Sequence, residues 1–197
     1  KTLFPYTTLF RSNRPDEIGE LLASLTQTNY KFPFEVVIVE DGSSISCKSI
    51  VDQFQSKLLI SYYDKENSGP GASRNFGMLR AKGEYFLIFD SDCIIPVDYL
   101  NEVMLELATQ YVDCFGGPDQ ALKSFSPVQK AINFAMTSVL TTGGVRGGSE
   151  AITKFQPRSF NMGISKKAFE DSQGFGNIHP GEDPDLAIRL WQLEIGR

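Results

Sequence analysis

Apolar positions along the chain follow two spacings, and the switches between them mark a repeating order of strands and helices. In Pro15–Gln27, Ile18, Leu21, Leu22 and Leu25 recur every three or four residues, the stripe of an amphipathic helix. Pro15 suits the first turn, and Asp16 and Glu17 sit at its positive end. Phe34–Val39 is a continuous apolar run, the pattern of a strand buried on both faces. It closes in Glu40-Asp41-Gly42-Ser43, read as a turn. Ser46–Ser56 is predicted helical with Ile50, Val51 and Phe54 inward, and Leu58–Tyr63 is a second strand. The breaker-rich loop Asn67–Gly71 precedes a helix over Ala72–Ala81 that stops at Gly83. Tyr85–Phe89 is a third buried strand and runs into Asp90-Ser91-Asp92. A helix over Asp98–Gln110, capped by Asp98, and a strand over Tyr111–Phe115 follow.

This β-α-β-α-β-α-β order predicts an α/β domain, with a parallel sheet covered by helices on both faces. Ligands of such sheets bind beyond the carboxyl ends of the strands. Both acidic segments, Glu40-Asp41 and Asp90-Ser91-Asp92, stand at such ends, so the topology alone assigns them to one rim. Beyond Gly116 the pattern loosens. A helix is expected over Pro127–Leu140, a Gly-rich stretch over Thr141–Ser149, a short strand over Phe160–Ser165, a loop over Gly174–Gly181 and a helix over Glu182–Leu193.

A chain of 197 residues holds one such domain with a real core. The net charge of −5 argues against a nucleic-acid partner, which usually meets a basic face. The chain has one histidine, His179, and three widely spaced cysteines, Cys47, Cys93 and Cys114. That set forms neither a disulfide framework nor a zinc spacing. A metal would therefore sit on carboxylates, which favours Mg²⁺ or Mn²⁺. The cysteine usage fits a reducing, cytoplasmic setting. No apolar run reaches the length of a membrane span.

The two ends read differently from the middle. Residues 1–12 lack strand alternation, and LFPYTTLFRS is what a common sequencing-adapter oligonucleotide encodes. The expectation is that 1–12 is non-native and that the first strand of the domain is missing. At the other end the chain stops just after an amphipathic helical pattern, so 13–197 is expected to be a C-terminally truncated domain.

Four segments carry candidate chemistry. Asp90-Ser91-Asp92 offers two carboxylates for a hard cation, which commonly takes one or two of them plus phosphate oxygens. Taken alone, such a tripeptide also describes a turn with Asp side chains on backbone amides. Glu40-Asp41 could accept from a nucleobase or ribose, or cap the next helix. Asn67–Asn75 is a Gly-rich loop running into a helix that carries Arg74, a residue able to pair with phosphate or stack on a base. It lacks the Gly-Lys-Ser/Thr ending of a Walker loop. Glu182-Asp183 opens the last helix, where the helix dipole favours acids, and offers a general base. His179 reads as a loop residue that contacts or orients substrate.

The order EDGSS, NSGPGASRNFGMLRAKGEYFLIFDSDC, FNMGISKKAFEDSQGFG and GEDPDLAIRLW resembles the family 2 glycosyltransferases of the GT-A (Rossmann-like) fold. The likeness covers nearly all of Asn13–Trp191. It implies a mostly parallel central sheet flanked by helices on both faces. It implies nucleotide binding by Asn13, Glu40, Asp41, Arg74 and Asp90, where Glu40 replaces the more usual Asp. It places Asp92, with Asp90, on Mn²⁺ or Mg²⁺, and makes Asp183 the catalytic base with Glu182 beside it. Asn161, Met162, Gly163 and His179 would face the acceptor. The implied partners are a nucleotide-sugar donor, a UDP-sugar above all, and a glycan or lipid-linked acceptor. Membrane association, at the cytoplasmic face, would come from a C-terminal region outside this chain. The implied reaction is inverting transfer by single displacement. The rival readings are a GT-A module that holds a nucleotide sugar without transferring it, and a sugar nucleotidyltransferase.

Overall fold

The computed structural model describes residues 5–11 (backbone), 14–116, 128 and 157–195. Among them, six strands are β1 (Pro5–Arg11), β2 (Glu35–Asp41), β3 (Leu59–Lys65), β4 (Tyr85–Asp90), β5 (Cys114–Gly116) and β6 (Asn161–Ser165). Six helices are α1 (Pro15–Thr26), α2 (Lys48–Phe54), α3 (Pro70–Arg80), α4 (Tyr99–Thr109), α5 (Lys166–Ser172) and α6 (Glu182–Gln192). The expected helix Pro127–Leu140 (Val128 apart) and the stretch Thr141–Ser149 lie outside the described residues.

The strands form one sheet in the order β3-β2-β1-β4-β6-β5. β1, β2, β3 and β4 pair in parallel, whereas β6 runs antiparallel to both β4 and β5. Strand-end pattern alone had put 111–115 in the parallel series. Its shorter form, β5, runs in the same sense as β4, but it pairs with β6, the antiparallel strand that stands between them.

The larger correction concerns the N-terminal segment. The backbone of Pro5–Arg11, expected to contribute no strand, occupies the centre of the sheet between β2 and β4. That slot is bounded on both sides by main-chain groups that need partners, and any residue with an N–H and a C=O can supply them. Thr, Tyr and Phe favour strands. Pro5 stands at the first residue of β1, where a missing donor is tolerated.

Successive residues of the inner strands point to opposite faces, and each face has its own core. Val36 and Ile38 of β2 and Tyr85, Leu87 and Phe89 of β4 join Ile18, Leu21, Leu22 and Leu25 of α1, Val51 of α2 and Leu100 and Leu107 of α4. Val37, Val39, Phe86 and Ile88 join Met78 of α3, Ala168 and Phe169 of α5, and Leu186 and Leu190 of α6. The predicted stripe of α1 is buried throughout. Asp98 does stand at the start of α4, but its carboxylate makes no cap and accepts from the Asn29 amide instead. Among the described residues, no helix is long and apolar enough to cross a membrane.

The two strands at the sheet's antiparallel edge are packed closely. A Cβ at Gly163 would land on the Phe115 ring, 2.5 Å from its Cζ. Phe115 in turn stacks on Tyr85, with ring centroids 6.1 Å apart. Gly163→Ala is expected to cost about 1–3 kcal/mol by overpacking. A urea titration checks this, and an unchanged midpoint would mean that Phe115 moves aside freely.

Candidate active site

The register of the inner strands sets the site. Arg11 of β1 lies opposite Glu40, and Phe10 lies opposite Asp90, so the carboxyl ends of β1, β2 and β4 form one rim. Asp90-Ser91-Asp92 continues from β4 there. Ser91 is buried and donates to Glu17 of α1 at 3.0 Å, which leaves the two aspartates on either side of an anchored residue. Asp92 is exposed, and the Asp90 side chain is 38% exposed. Asn13 lies outside the described residues.

The 174–181 loop brings α6 onto this rim. Asn75 of α3 clamps Phe175 twice, donating to its carbonyl at 2.8 Å and accepting from its N–H at 2.8 Å. Gly71, early in α3, leaves room for the same loop: a Cβ there would lie 3.1 Å from Phe175 Cβ. The guanidinium of Arg74 then spans the gap, donating to Asp90 at 3.1 Å and to Glu182 at 3.5 Å. It lies 5.4 Å above the Phe175 ring and is almost fully buried. Arg74 therefore ties the acidic end of β4 to the start of α6.

Asp183 is held beside them. Its Oδ2 accepts from the N–H and from the hydroxyl of Ser159, both at 3.1 Å. Its Oδ1 is buried and has no hydrogen-bond partner among the described residues. Glu182 is used up by structure: besides Arg74, it accepts from Gly181 N–H at 3.1 Å and approaches His179 Nδ1 at 3.4 Å. Burial would raise the Glu182 carboxyl, but these donors and the charge of Arg74 outweigh it and hold it below its ordinary value. Asp90 moves the other way. Burial pushes its carboxyl up, the charges of Asp92 and Asp183 add to this, and Arg74 opposes them. Asp92 follows Asp90 by two residues, and Asp183 adjoins the Glu182 that Arg74 links to Asp90. His179 is exposed and reaches the site only through Glu182.

Three groups of predicted contact residues stand elsewhere. Asp41 is fully buried, and so, nearly, is Glu40. The Asp41 carboxylate accepts from Lys65 Nζ, from Ser68 N–H at 2.9 Å and from Gly69 N–H at 3.0 Å. Gly42 fits beneath the same loop at φ +64°, where a Cβ would lie 2.8 Å from Asn67 N. Glu40 accepts from Tyr62 and Ser46 side chains and from Cys47 N–H. Both acids hold loops that border the rim. Met162 is a core residue, and Gly163 packs against Phe115. A strand residue next to a candidate site alternates faces, and here these two are turned to packing. Asn161 accepts from Tyr99 at 2.6 Å. Lys65 and Ser159 had no signal of their own, because each acts on an aspartate 24 residues away in the chain.

The donor set fits a hard divalent cation. It consists of oxygen ligands alone, with Asp92 open to solvent and Asp90 partly open. Among the described residues, no group of three or more His, Cys, Asp or Glu side chains is placed to hold a metal ion. Mg²⁺ and Mn²⁺ sites of this kind keep waters and complete their shells with substrate phosphate.

A Rossmann-like sheet with an acidic rim at its carboxyl edge is the architecture of GT-A enzymes. The profile of Glycosyl transferase family 2 matches residues 12–172, and the chain belongs to that family. It is 36% identical over 104 residues to the poly(ribitol-phosphate) β-N-acetylglucosaminyltransferase TarS of Staphylococcus aureus, covering 51% of this chain and 17% of that protein. It is 34% identical over 97 residues to the hyaluronan synthase of Pasteurella multocida, covering 48% and 10%. The chain thus spans only a small part of these curated relatives. The crystal structure of S. aureus TarS with UDP-GlcNAc superposes with a TM-score of 0.71 at 22% identity, over 94% of this chain and 52% of that one. The mannosyltransferase PcManGT from Pyrobaculum calidifontis, in complex with GDP-Man and Mn²⁺, superposes with 0.71 at 18% identity, over 97% and 52%. The GT-A fold expected from the sequence is the fold observed.

Proposed function

We propose that this chain transfers a sugar from a nucleotide-sugar donor, a UDP-sugar, to an acceptor hydroxyl by inverting displacement. The observation that carries this reading is the Arg74 bridge from Asp90, at the end of β4, to the start of α6, where one buried oxygen of Asp183 has no hydrogen-bond partner among the described residues. The UDP preference draws on the TarS complex with UDP-GlcNAc, and a polyol-phosphate or other glycan acceptor draws on the relatives' names.

Asp183 takes the proton of the acceptor hydroxyl, whose oxygen forms a bond to the anomeric carbon. The bond from that carbon to the nucleoside diphosphate breaks on the opposite face, and the pair of electrons leaves with the diphosphate. Mn²⁺ or Mg²⁺, held by Asp92 and Asp90, would neutralise charge on that leaving group. Arg74 borders the nucleotide, while Glu40 and Asp41 act through the loops they fix. His179 sets Glu182, and Glu182 sets Arg74. Fixed charges and positioning supply most of the effect in such a site.

The test is calorimetric titration of UDP, with GDP and CDP as comparators, with and without Mn²⁺, on this chain and on Asp92→Ala. Metal-dependent UDP binding that weakens at least about tenfold in the variant is the expected result. Asp92 is exposed, so the variant should keep its fold. Equal binding with and without Mn²⁺ would remove the metal role. Transfer itself is read as UDP released from UDP-N-acetylglucosamine with poly(ribitol phosphate) present.

A further inference from the structure

We propose that Ser159 is the positioning residue of the base, fixing Asp183 so that Oδ1 is the oxygen presented to the acceptor hydroxyl. This rests on Asp183 being the base, as argued above.

A carboxylate on a short side chain turns easily about its last bond, and its two oxygens are interchangeable. Here they are made unequal. Ser159 donates twice to Oδ2, through its N–H and its hydroxyl, each at 3.1 Å. Two donors on one oxygen lock the plane of the group and leave Oδ1 with its lone pairs unused in a buried position. An unpaired buried acceptor is costly unless a ligand completes it. A base needs just such an oxygen, free to accept a proton and held in one direction.

Ser159 is well placed to define that direction. It is 4% exposed and sits in the turn that opens β6, which Asn161 N–H closes onto the Arg158 carbonyl at 3.1 Å. β6 pairs with β4, the strand that ends in Asp90. The clamp therefore ties the base on α6 to the same strand pair that carries the donor-side carboxylate, so base and donor site keep one frame of reference. A staple whose purpose was only to hold α6 would serve equally well on Glu182 or Asp185, both of which already have their own partners.

The test uses Ser159→Ala, Ser159→Thr and Asp183→Asn in the same UDP-release assay, with UDP titrated in parallel. Ser159→Ala should lower kcat by about 10–100-fold, the worth of one hydrogen bond to a charged group, and leave the donor KM and UDP affinity within about twofold. Ser159→Thr, which keeps the hydroxyl, should recover most of the rate. Added to Asp183→Asn, Ser159→Ala should do no further harm, because the two act as a unit. An unchanged kcat, a matching loss of UDP affinity, or an equal loss in the Asp183→Asn background would each overturn the proposal. Amide hydrogen exchange reads the clamp without turnover. The Ser159 N–H should exchange at least about tenfold faster in Asp183→Ala than in the wild-type chain. Equal exchange overturns the clamp, whereas a protected amide in a chain that releases no UDP overturns the functional reading instead.

Discussion

Asp183→Asn is expected to lower sugar transfer by about 10²–10⁴-fold while UDP binds as before. The substitution keeps the shape of the side chain. Its carbonyl oxygen can still accept from Ser159 N–H and hydroxyl, as Oδ2 does now. The amide nitrogen then falls at the position of Oδ1, where the wild-type side chain offers unused lone pairs. An NH₂ there donates and cannot take a proton, so the acceptor hydroxyl loses its base and gains a competing donor. Donor affinity should hold, because nucleotide contacts are assigned to the β4 end and to Arg74, which bonds Asp90 and Glu182 and not Asp183. Turnover and UDP calorimetry on the same preparation decide the matter. A parallel loss of both would mean that Asp183 supports the fold or the donor site, and the base would have to be sought elsewhere.

The second large effect is on stability. Asp41→Ala is expected to destabilise the chain by about 3–5 kcal/mol, the usual penalty for breaking a buried ion pair. The Lys65 ammonium, only 14% exposed, would lose its carboxylate, and the N–H groups of Ser68 and Gly69 would lose their acceptor. The loop ahead of α3 would then be free to drift, and with it the start of the helix that carries Arg74. For a chain of this size the loss corresponds to a fall of about 6–20 °C in the unfolding midpoint. Asp41→Asn should fall between the two, since it keeps the shape and one acceptor but not the charge. The pH dependence carries the sign of the interaction. Burial alone would raise the Asp41 carboxyl, yet Lys65 and the loop donors hold it below its ordinary 3.8. A lowered folded value means that the contribution is complete above about pH 4 and is lost as pH falls through the folded value. Wild type and Asp41→Asn should therefore converge in thermal scans carried to acid. A constant gap down to pH 3 would assign the stabilisation to packing and not to charge.

Parts of this molecule were plain in the linear pattern. Ile18, Leu21, Leu22 and Leu25 announced the buried face of α1, and the unbroken apolar runs ending at Val39 and Phe89 announced strands covered on both sides. Because ligands gather at strand carboxyl ends, those same runs pointed to Asp90 and Asp92 as rim residues. Local spacing determines such features, since periodicity states which face of an element is buried.

Periodicity does not state against what. Glu40 and Asp41 sit at a strand end as expected, but only the parallel pairing of β2 with β3 puts Asp41 beside Lys65 and makes it an anchor of the loop ahead of α3. Met162 and Gly163 follow a strand pattern that suits an acceptor wall equally well, until β5 arrives antiparallel and sets Phe115 on Gly163. Pro5–Arg11 carries no strand signature, yet lies between two strands whose main chains require a partner. Ser159 is one serine among many until the 174–181 loop delivers Asp183 to it. The sequence by itself determined the elements, their buried faces and the rim on which the acids collect. The tertiary structure alone decided which polar groups meet, because hydrogen bonds between distant residues depend on strand register and loop closure, and neither leaves a local trace in the chain.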